Sequence, residues 1–242
     1  MEETKKHGLL TTMRDWYSTH KTARAVSKAI AGVTFVDPAS AALDALVGTQ
    51  TVATAQAKPA SGCVELMAGH ESATLDTKLF VPVAPDTTLF TRSRITPDYE
   101  TGKVGSFHIA SLAYDVFKGI EVFGELDAIP GVELDPRAGV QYFTKLGDVS
   151  LFGLASVGLK ETPDGSALLN VRYSPAVSDT VRLVFGAEIP AGFDKSGITF
   201  AEPRLRAGVD IDGYHIGFAA DLNVTGSGDL TPRYGGFVMK PF

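Results

Sequence analysis

The sequence predicts an all-β fold: a closed up-and-down antiparallel barrel of about 12 strands, with a short helical N-terminal segment. Three observations carry this expectation. From about residue 62 to Phe242, apolar residues recur at alternate positions, a strand period and not a helical one. Short connections containing Gly and Asp separate many of these stretches and alternate with longer ones. The segments are each roughly ten residues long, and an even number of them closes on itself without leaving an exposed edge.

Residues 1–60 read as a helical N-terminal segment and linker. Thr12 precedes Met13-Arg14-Asp15, which places Asp15 in a first turn, where a carboxylate offsets the helix dipole. Met13, Trp16, Tyr17, Val26, Ala29 and Ile30 give a rough helical stripe that stops at Gly32. Asp37-Pro38, a cap followed by proline at the first position, starts a second short helix that runs to Gly48. Thr49 to Ala60 is small and polar and reads as a linker.

Residues 61–242 read as the barrel. Strands are expected at 62–69 (the weakest), 73–82, 88–97, 105–116, 119–127, 137–146, 149–159, 166–175, 180–190, 202–211, 214–224 and 232–242. The clearest is 214–224: Tyr214, Ile216, Phe218, Ala220, Leu222 and Val224 share one face, while His215, Gly217, Ala219, Asp221 and Asn223 share the other. The segment 149–159 is less clean, because Phe152 and Leu154 fall on the polar face. Short turns are expected at Lys118-Gly119, Gly147-Asp148, Val177-Ser178-Asp179 and Asp212-Gly213. Longer connections are expected at Pro97 to Val104, Ala128 to Pro136, Lys160 to Gly165, Pro190 to Glu202 and Thr225 to Pro232.

Composition narrows the function classes. The 242 residues include 44% hydrophobic and 21% charged, enough apolar surface to order a chain. The net charge of −6 argues against a general nucleic-acid partner. The single cysteine, Cys63, excludes an intrachain disulfide and a structural zinc site. The histidines His7, His20, His70, His108 and His215 have no metal-ligand spacing, and no Gly-rich phosphate loop joins a strand to a helix, so no cofactor is expected.

The orientation of the two faces decides what such a barrel does. A cylinder much larger than eight strands cannot fill its lumen with small side chains. The charged face is therefore assigned to a wet interior and the apolar face to lipid, or to a tightly packed protein layer. The inward positions most expected to line the lumen are Arg92, Arg94, Asp115, Glu121, Glu125, Arg172, Arg182, Arg204 and Arg206. Asp115, Glu121, Glu125 and Asp127 fall on two neighbouring strands, and Arg172, Arg182, Arg204 and Arg206 on three consecutive later ones. Facing acidic and basic walls would create a transverse field that sorts solutes. The same charges also suit salt bridges that fill and stiffen a closed barrel. Residues 12–47 would form a luminal plug, a cap or an outside docking element.

Residues 62–242, about three quarters of the chain, resemble a bacterial outer-membrane β-barrel of porin-like type. The resemblance rests on the two-residue alternation, the short and long connections, the even strand count and the terminal Phe242. Val238 and Tyr234 fit the alternating apolar pattern of that family's last strand, and Lys240 departs from it. The resemblance implies an outer-membrane location, a lipid bilayer as partner and small polar solutes as cargo, with no chemistry. Met1 to Ala31 contains no apolar core of the usual secretory-signal length. Two other classes fit parts of the sequence. A virion or other assembly protein would pack its apolar faces against sister subunits. A barrel-borne lipid hydrolase would use His215 with Asp221 and a serine, although no serine sits in a nucleophile motif. Tyr142, Tyr173, Tyr214 and Tyr234 are expected on the outward face, where they suit membrane interfaces.

Overall fold

The computed structural model describes residues 59–131 and 133–242. The helices expected at 12–32 and 37–48 lie outside the described residues. The strands are β1 (Ser61–Gly69), β2 (Ala73–Ala84), β3 (Thr87–Pro97), β4 (Val104–Phe117), β5 (Ile120–Ala128), β6 (Asp135–Leu146), β7 (Val149–Gly158), β8 (Gly165–Tyr173), β9 (Val181–Asp194), β10 (Gly197–Ala201), β11 (Arg204–Ile211), β12 (Tyr214–Thr225) and β13 (Leu230–Pro241). Consecutive strands pair antiparallel, and β1 pairs with β13, so the sheet closes.

The ring has twelve members, because β10 and β11 are two halves of one strand. They share a register: Ala201 pairs with Ala191 of β9 and Val224 of β12, while Arg204 pairs with Glu188 and Asp221 of the same strands. The break falls at Glu202–Pro203, where proline has no N–H for the ladder. The long connection expected from Pro190 to Glu202 is thus replaced by a hairpin that turns between Asp194 and Gly197. Pro190 does not end β9, because its carbonyl still accepts from the Glu202 N–H at 2.9 Å.

Both ends of the barrel sequence, Ser61 and Pro241, lie at one rim, here the near rim. Its turns are tight. Lys118-Gly119 and Asp212-Gly213 have positive φ at both central residues (46° and 84°, 52° and 73°), the mirror-image turn that matches strand twist. Pro85-Asp86 turns with φ 60° at Asp86. The exception is the β8–β9 link, seven residues from Ser174 to Thr180, longer than the three-residue turn expected there.

At the far rim, Asp98 organises the β3–β4 connection. Its carboxylate accepts from the N–H and Oγ1 of Thr101 at 2.7 and 2.8 Å and from the Glu100 N–H at 3.0 Å. These donors hold the Asp98 carboxyl below the ordinary carboxylate range.

Residues opposed across neighbouring strands share a face, which fixes inside and outside for the whole ring. One face carries Asp76, Arg92, Arg94, Ser111, Arg137, Ser156, Glu188, Arg204 and Asp221, all buried. The other carries Leu66, Leu75, Leu112, Val140, Ile216, Phe218 and Val238, all exposed, with Phe218 at 79%. The barrel is therefore apolar outside and polar inside, the reverse of a soluble barrel with an oily centre. Phe152 and Leu154 do face inward, opposite Phe143 and Gln141.

Small inward residues let the wall bend across β11, β12 and β13. A Cβ on Gly217 would lie 2.2 Å from the Ala207 carbonyl oxygen, and one on Gly235 would lie 2.0 Å from that of Ala68. Gly235 stands at the seam, opposite Gly69 of β1. Gly235→Val should separate β13 from β1 locally, with a large loss of folded barrel on refolding into detergent. Recovery equal to the parent chain would show that the seam tolerates a side chain there.

Candidate functional site: a charge layer across the lumen

Glu188 is the hub of the interior. It projects from β9, and its carboxylate accepts from Arg92 Nη2 of β3 at 2.7 Å, Arg204 Nη1 of β11 at 2.6 Å, Lys78 Nζ of β2 at 2.5 Å and Asn170 Nδ2 of β8 at 3.2 Å. In the twelve-membered ring, β3 and β9 are six places apart in either direction. The Arg92–Glu188 pair therefore joins opposite walls of the cylinder. Arg92 also holds Asp76 through a two-point contact and lies over the Phe107 ring, 5.5 Å from its centroid.

Asp221, with no exposed surface, is a second hub. It accepts from Arg94 Nη2 of β3 at 2.5 Å and from Arg206 Nη1 of β11 at 2.7 Å. Arg206 reaches on to Glu65 of β1 at 2.6 Å, and Arg204 to Glu202 at 2.7 Å. Arg233 of β13 adds a contact to Glu202 at 3.0 Å. Alternate opposite charges, each with several donors or acceptors, make a continuous layer from β2 and β3 to β9, β11, β12, β13 and β1. Buried charges persist only in such partnerships.

The nine residues singled out in the sequence all lie on the inward phase, but they separate into three groups. Arg92, Arg94, Arg204 and Arg206 are members of the layer. Arg172 and Arg182 are not: Arg172 Nη2 lies 3.9 Å from the Met239 sulfur, and Arg182 is half-exposed at the near rim, bonded to Asp148 and to the Ser174 carbonyl. Asp115, Glu121 and Glu125 stand on β4 and β5, where Glu121 accepts from Gln141. Among the described residues, no ion pair is made by Asp115, Glu121, Glu125 or Asp127. The nearby cation Arg137 is engaged by Asp135 and Asp164, each at 2.8 Å. The interior is thus one cross-paired charge layer beside an acidic wall. Of the two arrangements the sequence left open, facing charged walls or salt bridges that stiffen the barrel, Arg92, Arg94, Arg204 and Arg206 take the second, paired with Glu65, Asp76, Glu188, Glu202 and Asp221. The alternation already put Glu188 and Asp221 on the charged face; what it lacked was a sign that they meet arginines from across the ring.

The hydrolytic grouping considered for His215 is not assembled. Its Nε2 lies 3.5 Å from Asp210, while Asp221 is taken up by the two arginines. Among the described residues, no group of three His, Cys, Asp or Glu side chains is placed to hold a metal ion, and no helix is long and apolar enough to cross a membrane.

The exterior completes the site. Tyr114, Tyr142, Tyr173 and Tyr214 are exposed near the near-rim ends of β4, β6, β8 and β12, and Tyr234 is exposed toward the far rim. Lys240, the departure from the terminal alternation, extends its ammonium over the Tyr214 ring at 4.0 Å and to the Asp212 carbonyl at 3.3 Å. An outward lysine at that height reaches the rim and leaves the apolar band unbroken.

A closed, even-numbered, up-and-down barrel with a greasy outside and an ionic inside is the architecture of bacterial outer-membrane β-barrels. Among solved structures, the chain is similar to OmpT, an outer membrane protein of Vibrio cholerae (9% identity, TM-score 0.35, covering 76% of this chain and 97% of that one). It is similar also to a loop L8 deletion mutant of the same protein (10% identity, TM-score 0.31, covering 76% and 98%) and to a triple mutant of the Rhodopseudomonas blastica porin (7% identity, TM-score 0.28, covering 76% and 99%). No family model matches the sequence, and no curated protein matches it.

Proposed function

We propose that this chain spans the outer membrane as a non-enzymatic barrel that passes small polar solutes through a lumen constricted by the Glu188 and Asp221 charge layer. The observation that carries the reading is the face reversal: large apolar side chains are exposed all round the ring while ionised ones are enclosed. Strands of nine to fourteen residues, apart from the divided pair β10 and β11, suit a tilted crossing of a bilayer's hydrocarbon core. The exposed tyrosines support the same placement, since rings with one polar edge favour the water–lipid boundary.

The acidic wall supports a preference for cations. Asp115, Glu121, Glu125 and Asp127 lie along β4 and β5 without ion-pair partners among the described residues, whereas the luminal arginines of the charge layer are matched by carboxylates. A ring or wall of uncompensated carboxylates favours cations. In a planar bilayer, the purified chain should give small, discrete, cation-selective conductance steps. Arg92→Ala combined with Arg94→Ala should enlarge them severalfold by opening the layer.

A second reading follows from one contact. The Arg92–Glu188 pair ties opposite walls together, which suits a purely structural barrel. Electrical silence from both the parent chain and the double variant would favour that reading over a passage.

A further inference from the structure

The three sulfur-bearing side chains of the described residues, Cys63, Met67 and Met239, meet in one place inside the barrel. Met67 and Met239 are buried, and with Phe237 and Ala219 they form a packed cluster against which Cys63 rests. The strand register explains the convergence. Met239 of β13 stands directly opposite Glu65 of β1, and Cys63 and Met67 flank Glu65 on the same face. Diagonal neighbours on one face are about 7–8 Å apart, within reach of a long unbranched thioether. On its other side, Met239 stands directly opposite His215 of β12.

His215 is the independent sign that the cluster awaits a ligand. The residue is 7% exposed, and among the described residues its buried Nδ1 has no hydrogen-bond partner. A buried polar atom left unmatched is costly and calls for a function. Its Nε2 lies 3.5 Å from Asp210. A neutral imidazole supplies one nitrogen lone pair, and the two thioethers and one thiolate supply three soft donors. Thiolate and thioether ligands select monovalent copper and its chemical relatives over hard cations.

We propose that Cys63, Met67, Met239 and His215 form a binding site for one soft monovalent metal ion of the Cu(I) and Ag(I) class. Binding releases the Cys63 thiol proton to solvent, so that thiolate and metal together are neutral. Lys78 of β2 stands directly opposite Cys63, which rests as the protonated thiol until metal displaces its proton. Arg172, 3.9 Å from the Met239 sulfur, must swing aside when the sulfur takes a metal. Cys63, Met239 and His215 are each within two residues of a near-rim strand end, so an ion arriving at that mouth meets them first.

The test uses the full chain folded in detergent, with ascorbate present, titrated with Cu(I) against a chromophoric Cu(I) chelator. The parent chain should withdraw one equivalent. Met67→Leu with Met239→Leu preserves side-chain volume and should weaken binding at least tenfold, as should His215→Gln. Cys63→Ser should remove it. X-ray absorption at the copper edge should show sulfur scatterers with one lighter neighbour. No uptake by the parent chain would overturn the site. So would unchanged affinity in both the double-methionine and the His215→Gln variants with strand content intact, because the thiol alone would then explain uptake. Neither outcome depends on conductance, so the site and the passage fail or stand separately.

Discussion

Glu188→Ala should lower the barrel's unfolding free energy by about 3–5 kcal/mol, the usual cost of stripping one partner from a buried ionic group. Glu188 faces Arg92, Arg204 and Lys78 at once. Without it, three cations gather around an apolar stump, and among the described residues only Arg92 and Arg204 keep another carboxylate, Asp76 and Glu202. Glu188→Gln should cost less, since its amide oxygen still accepts hydrogen bonds. Asp115→Asn, on the wall without ion pairs, should change stability by no more than about 0.5 kcal/mol. Urea unfolding in lipid vesicles, followed by the strand signal in circular dichroism, reads all three. Coincident midpoints for Glu188→Ala and the parent chain would mean that the layer does not brace the cylinder.

The second large effect concerns the outer surface. Leu112 sits near the middle of β4, outward and 52% exposed. Leu112→Arg should cost about 2–4 kcal/mol in a bilayer, the penalty for a cation on the lipid face at mid-depth. Leu112→Phe should be nearly neutral. In a soluble barrel the arginine would be welcome at an exposed position. Unchanged or increased stability, together with a monodisperse detergent-free monomer, would therefore remove the membrane reading altogether.

The strands were legible because their cause is local. Alternation is written into neighbouring residues, and segments such as 214–224 and 149–159 form β12 and β7 to within a residue. The turns at Lys118-Gly119 and Asp212-Gly213 were legible for the same reason. The errors have physical sources. Pro190 looks like a strand end, yet its carbonyl stays in the ladder, and the neighbouring hairpin continues the sheet to Asp194. The arginines were visible as charge, but their partners were not. Glu188 meets Arg92 only because the ring has closed and brought β3 against β9, ninety-six residues apart in sequence. No local pattern carries that distance. The cluster of Cys63, Met67, Met239 and His215 was hidden likewise, since it is assembled by the pairing of β13 with both β1 and β12.

That pairing has a consequence for biogenesis. Cys63 meets Pro241, and the Phe242 N–H and carbonyl both bond to Gly62 at 3.0 Å. The seam is therefore made from the earliest and latest parts of the barrel to be synthesised. Until β13 is made, β1 has no mate on that side, and the half-built sheet offers unpaired backbone to any other chain. Closing so long a loop exacts the largest entropy of any contact in the fold. Closure of the ring therefore waits on β13, and β1 keeps an open backbone edge until that strand is made.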